Sequence, residues 1–174
     1  MTWVLDTSHS SIEFAVKHMI ISTTKGRFTK FSVDADVDEA NLGASTATIT
    51  IDAESVDTRD ETRDAHLRSA DFFDAANHPT VTFVTRRLES KGGSDYRIIG
   101  DLTMRGVTKE ISLDGELNGP MKDPYGNTRV GLSAQGKVSR KDWGLTWNGV
   151  LEAGGVLVGD EVKMSIDTEL VKAA

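Results

Sequence analysis

Apolar and polar residues alternate along most of this chain. Ile12, Phe14 and Val16 interleave with Ser11, Glu13 and Ala15, while Phe31, Val33, Ala35 and Val37 interleave with Ser32, Asp34 and Asp36. Ile49 and Ile51 are spaced by threonine, and Val81 and Phe83 repeat the pattern. Further on, Val107, Ile111, Leu113 and Leu117 share one parity, as do Val130, Leu132, Ala134 and Val138, and then Val162, Met164, Ile166 and Leu170. A period of two belongs to strands that bury one face, so the pattern predicts seven or more half-buried strands. Turn residues separate them at Asn41–Gly43, Gly92–Asp95, Gly119–Gly126 and Ala153–Gly159. Gly100, Gly131 and Gly136 fall inside strand patterns, where glycine tends to mark bulges or sharp bends.

One stretch breaks the alternation. From Arg59 to Asp74 the sequence RDETRDAHLRSADFFD carries the one convincing helix signal, and a main α-helix is expected near residues 59–70. Thr58 and Glu61 stand at capping-box spacing, Asp60 and Glu61 suit the positive end of the helix dipole, and Arg68 suits the other end. Thr62, His66, Ala70 and Phe73 recur at helical spacing. Antiparallel strands with short turns and one helix point to an all-β up-and-down barrel, with the helix packed at its end, where apolar ligands enter. The 174 residues are expected to form a single domain, 1–174.

Composition narrows the partners. Twenty basic against 27 acidic residues give a net charge of −7, which disfavours nucleic acid and anionic membrane surfaces. An apolar ligand, recognised by burial, stays open. The absence of cysteine excludes disulfides, iron–sulfur clusters and thiolate zinc. The opening MTWVLDTSHSSIEF has no basic, apolar leader, and no segment approaches the roughly 18 apolar residues of a membrane span. The expectation is a cytoplasmic protein without a membrane span.

Candidate chemistry is sparse. Asp34, Asp36 and Asp38 resemble the start of a calcium loop, but Glu39 stands where glycine is needed and Ser45 where a bidentate glutamate is needed. His9, His18, His66 and His78 show no metal-binding spacing, so neither a metal nor a cofactor is expected. Asp6, Ser8 and His9 are close in sequence, although a triad is defined by spatial roles. Arg59, Arg63 and Arg68 could grip an anionic head group, but interleaved with acids they suit an exposed helix face. Trp143 and Trp147 could plug a barrel end or touch a ligand.

Several segments in order resemble the YceI family of lipocalin-like bacterial proteins. They are DTSHSSIEFAVKH at Asp6–His18, GRF at Gly26–Phe28, RDAHLRSADFFD at Arg63–Asp74, HPTVTF at His78–Phe83, GDLTMRGVTKEISL at Gly100–Leu113, and GKVSRKDWG at Gly136–Gly144. The resemblance implies an extended eight-stranded antiparallel barrel around a hydrophobic channel, a bound polyisoprenoid or similar long-chain amphiphile, and no established catalysis.

The expected protein is therefore a carrier and not an enzyme. Phe14, Val16 and His18, with Val33, Ile51, Val81 and Phe83, are placed on the ligand by strand parity. His66, Ala70 and Phe73 are placed there by the helical stripe, and Trp143 by its position near the C-terminal turn. A quinone, fatty acid or fatty amide would suit the same channel. An enzyme acting on a lipid head group would instead need His66, His9 or His18 beside a carboxylate. A homodimer is expected from apolar residues left on exposed strands.

Overall fold

The computed structural model describes residues 2–149, 151 and 155–173; Ala153 and Gly154 of the last expected turn lie outside them. Among the described residues eleven strands form one sheet. They are β1 (Trp3–Leu5), β2 (Ser11–His18), β3 (Ser22–Phe28), β4 (Phe31–Asp36), β5 (Thr46–Asp52) and β6 (Val56–Asp57), followed by helix α1 (Glu61–Arg68). The rest are β7 (Thr80–Gly92), β8 (Asp95–Met104), β9 (Val107–Lys122), β10 (Thr128–Ser139) and β11 (Val158–Lys172). The all-β class with one α-helix is as expected. The count exceeds the eight strands implied by the resemblance, in part because the short fragments β1 and β6, of 3 and 2 residues, also join the sheet.

All pairings are antiparallel, and the path runs β4-β5-β7-β8-β9-β10-β11-β2-β3-β6, with β1 beside β11. The sheet curls into an open barrel whose hydrogen-bonded path ends at β4 on one side and β6 on the other. The seam between these ends is stitched by the turn at Ala53–Ser55: Thr29 donates its N–H to Ser55 O at 3.1 Å, and Asp52 donates its N–H to Lys30 O at 3.0 Å. Helix α1 follows β6 directly, so it packs over this seam.

Alternation puts one face of each strand inside. Ile12, Ile49, Ile51, Val81, Phe83, Leu113 and Ile166 belong to one buried cluster. Trp3, Val130 and Leu170 form a second at the end reached by β1. Asp34, Asp36 and Asp38 are exposed, and Asp38 accepts N–H bonds from Ala40 and Asn41 in a local turn.

The glycine expectation divides. Gly131 adjoins a register shift between β9 and β10, and Gly100 faces one between β7 and β8. At Gly100, Gly136 and Gly26 the missing Cβ also leaves room for a neighbour's side chain. A Cβ at Gly100 would lie 2.5 Å from the Phe83 ring, one at Gly136 2.5 Å from Leu113, and one at Gly26 would clash with the Cζ end of the Phe14 ring. Large side chains therefore lie flat along the wall, which keeps them off the barrel axis.

Candidate functional site

The barrel interior next to α1 holds a cavity of about 540 Å³. Its walls come from β2, β3, β5, β7, β8, β9, β10 and β11, and α1 and the loop after it close the seam side. Most of the lining is aliphatic or aromatic. The polar exceptions come chiefly from β2 (Glu13, Lys17, His18) and the start of the helix (Asp60, Thr62, Arg63).

The helix is positioned by its own polar residues. Asp60 is the N-cap, accepting the Arg63 N–H at 3.1 Å, so the capping role expected of Thr58 falls two residues later. Thr58 is instead buried, and its N–H and hydroxyl both donate to Asp64, the buried residue of α1. Arg68 donates to Glu54 O at 2.9 Å and Arg63 to Thr58 O at 2.7 Å. These arginines bind backbone at the seam, an arrangement that the mixed-charge pattern did not reveal.

His66 reaches the cavity from α1. Its Nε2 lies 2.9 Å from Asp71 Oδ2, and its ring meets Trp147 and Phe72 edge-on, with centroids 4.5 and 5.0 Å apart. The imidazole is thereby fixed as part of the wall. After the helix, Arg105 donates to Ala70 O at 2.6 Å and Phe72 O at 2.9 Å, which turns Phe72 and Phe73 inward. Phe73 packs edge-on against Phe28, which in turn meets Phe14, both at 5.6 Å.

Arg140 anchors the other side. It is 3% exposed, and its guanidinium donates to the carbonyls of Gly159, Leu145 and Trp147 at 2.9, 2.6 and 2.9 Å. Burial lowers its pKa, while Asp160 at 3.8 Å opposes that shift. A buried charge survives because it is saturated with acceptors. The effect is to hold the segment carrying Leu145 and Trp147 against the start of β11.

Phe14, Val16, His18, Ile51, His66, Phe73, Val81 and Phe83, placed on the ligand from sequence, all line this cavity. Three others do not. Val33 lines a separate apolar space further along the barrel. Ala70 is exposed, because α1 ends at Arg68 and helical spacing no longer applies beyond it. Trp143 is 1% exposed and donates its indole N–H to Leu102 O at 2.9 Å, so it plugs the wall. Trp147 takes the place expected for it. Of the lining residues not singled out beforehand, Ile12, Ile111, Val138, Met164 and Ile166 were already on the apolar parity of their strands. Phe72 and Leu145 sit in loops, where no period identifies them.

Beside the polar edge, the β2–β3 hairpin turns through Met19 and Ile20, whose φ values are 55° and 67°. A β-branched residue is strained there. Met19 donates its N–H to Leu157 O at 2.8 Å, and Ile20 and Ile21 are 68% and 84% exposed.

Asp6, Ser8 and His9 do meet in space, outside the cavity lining. Ser8 Oγ donates to Asp6 Oδ1 at 2.7 Å, and His9 Nδ1 lies 2.8 Å from Asp6 Oδ2. Ser8 Oγ also lies 3.2 Å from His9 Nδ1, but that nitrogen and the hydroxyl both turn to the Asp6 carboxylate at shorter distance. Asp6 and Glu169 each also receive Arg129 Nη1 at 2.8 Å, so the cation among these carboxylates is the guanidinium. Among the described residues no helix is long and apolar enough to cross a membrane.

The class that fold and site define is an all-β, open antiparallel barrel with an apolar interior and one short helix over its seam. A model of the YceI-like domain matches residues 3–170, and the chain belongs to that family. It is 38% identical over 168 residues to a UPF0312 protein of Staphylococcus aureus, covering 96% of this chain and 95% of the relative. The YCEI protein of Campylobacter jejuni is 33% identical with a TM-score of 0.77, over 91% of this chain and 90% of that one. The fold is also shared with Burkholderia cenocepacia BcnA (24% identity, TM-score 0.82, 95% and 98% covered). A polyisoprenoid binding domain from Saccharophagus degradans shares it too (16% identity, TM-score 0.72, 99% of each chain).

Proposed function

We propose that the protein binds and carries a polyisoprenoid or similar long-chain amphiphile, its chain in the cavity and its head at the polar edge formed by Lys17, His18, Thr62 and Arg63. The observation that carries this reading is the cavity of about 540 Å³ with a predominantly apolar wall, within the range of small-molecule sites. Each methylene or methyl group moved from water into such a wall contributes about 0.8 kcal/mol before ordering costs. A few isoprene units suffice for tight binding without an ion pair. The Saccharophagus domain, described as polyisoprenoid binding, is in keeping with this ligand class.

The test is a titration of delipidated protein with a polyprenol, following melting temperature and tryptophan fluorescence. A ligand that binds only the native state stabilises it by about 2.7 kcal/mol at a hundredfold excess over Kd. Because Trp147 lines the cavity and Trp143 does not, Trp147→Phe should remove most of the fluorescence response and keep the thermal shift. Quinones and fatty amides run beside the polyprenol rank the head groups. If no long-chain amphiphile moves either signal, the carrier reading is wrong.

A further inference from the structure

A second apolar space, of about 80 Å³, lies beyond the main cavity. The two follow one another along the strands. On β7, Val81 and Phe83 line the larger and Thr85 and Leu88 the smaller; on β11, Ile166 lines the larger and Thr168 the smaller. On β5 the order is Ile51, then Ala47, and among the described residues Ile49 between them is the one side chain common to both linings.

The wall two and three strands along from β5 is already packed flat at this boundary. Ile98 and Leu113 are paired across β8 and β9 and are each 2% exposed. Both lie flat: a Cβ at Gly115 would be 2.8 Å from Ile98 Cδ1, and one at Gly136 2.5 Å from Leu113 Cδ2. Ile49 belongs to the same buried cluster as Ile98 and Leu113, whose side chains are already pressed against their wall. It is itself 4% exposed.

We propose that Ile49 sets the length of chain this protein takes, and that the smaller chamber beyond it is a distal extension of the same apolar site, opened when that side chain is shortened. This rests on the carrier reading above. In the native protein the far end of the chain stops at Ile49. Shortening the residue joins the chambers, and the added space has an aliphatic wall suited to one more piece of prenyl chain.

The experiment measures affinities for a homologous series of prenols, from farnesol upwards, with delipidated native protein and variants. In the native protein affinity should rise with each isoprene unit and then level off. Ile49→Ala should move that limit to a longer prenol, with a gain of at least tenfold for the first prenol beyond the native limit. Each further buried methylene is worth about fourfold before ordering costs. Adding Ala47→Leu to Ile49→Ala refills the smaller chamber and should restore the native limit. Ile49→Val, which removes a single methylene, provides a milder variant should the alanine protein not fold, and should move the limit the same way. Folded Ile49 variants with the native limit overturn the chamber assignment alone. Absence of binding by the native protein at every chain length overturns the prenyl reading and this inference with it.

Discussion

Arg129 holds three carboxylates at the barrel end away from the cavity: Asp123 at 2.7 Å, and Asp6 and Glu169 at 2.8 Å each. The hydrogen bonds from Ser8, Arg129 and His9 keep the Asp6 carboxyl far below the usual carboxylate range, and Arg129 does the same for Asp123. Their contribution to stability is therefore present above the ordinary carboxylate pKa of about 3.9 and is lost as pH falls below it. His9 moves the other way, raised from 6.5 chiefly by its hydrogen bond to Asp6. Its contribution is complete below about pH 6.5 and disappears as pH rises through the raised value. Urea midpoints should accordingly place His9→Ala below the native protein in mildly acidic buffer, with the two converging at alkaline pH. A gap that stays constant across that range would contradict the assignment. The effect should be small, since His9 is 63% exposed and salt screens such pairs.

At the scale of elements, the wall is built by pairing aromatic side chains with glycine on the neighbouring strand. In β2 and β3, Phe14 and Gly26 are register partners, and the ring lies over the glycine. The atoms nearest an added Cβ there all belong to the Phe14 ring. Gly26→Ala should therefore swing Phe14 towards the axis, reducing ligand affinity at least tenfold while unfolding stability falls by no more than about 1–3 kcal/mol. Comparing Kd for a long-chain amphiphile with the urea midpoint of the apoprotein checks this. Unchanged affinity would mean that Phe14 repacks away from the cavity.

The same elements show which parts of the structure were legible beforehand. Strands β2, β4, β5, β7, β9, β10 and β11 announce themselves by period two because one face meets the interior and the other meets water. Strand β3, with the sequence STTKGRF, has little apolar alternation, since part of its inward face is a glycine beneath a borrowed ring. The exchange of Trp147 for Trp143 was hidden for a different reason. Trp143 ends a short 3-10 turn (Arg140–Trp143) and Trp147 lies in the loop after it, so tertiary hydrogen bonds from Arg140 and to Leu102, rather than a repeat, decide which indole faces inward. Ala70 falls off the helical stripe because it stands two positions beyond the last helical residue, Arg68.

For the whole molecule, the barrel wall, seam helix and loop tied down by Arg140 serve one end: keeping an apolar space open inside a protein of 174 residues. An apolar space of this size lacks the packing contacts that filled cores have, so a bound chain should supply them and raise stability as well as occupy the site. The most direct measurement is native mass spectrometry of protein purified from its own host without detergent. The account predicts a population heavier than the bare chain by one long-chain amphiphile, released as a polyisoprenoid or related lipid on organic extraction. Bare protein alone, which after delipidation also fails to take up any polyprenol, quinone or fatty amide offered to it, would contradict it.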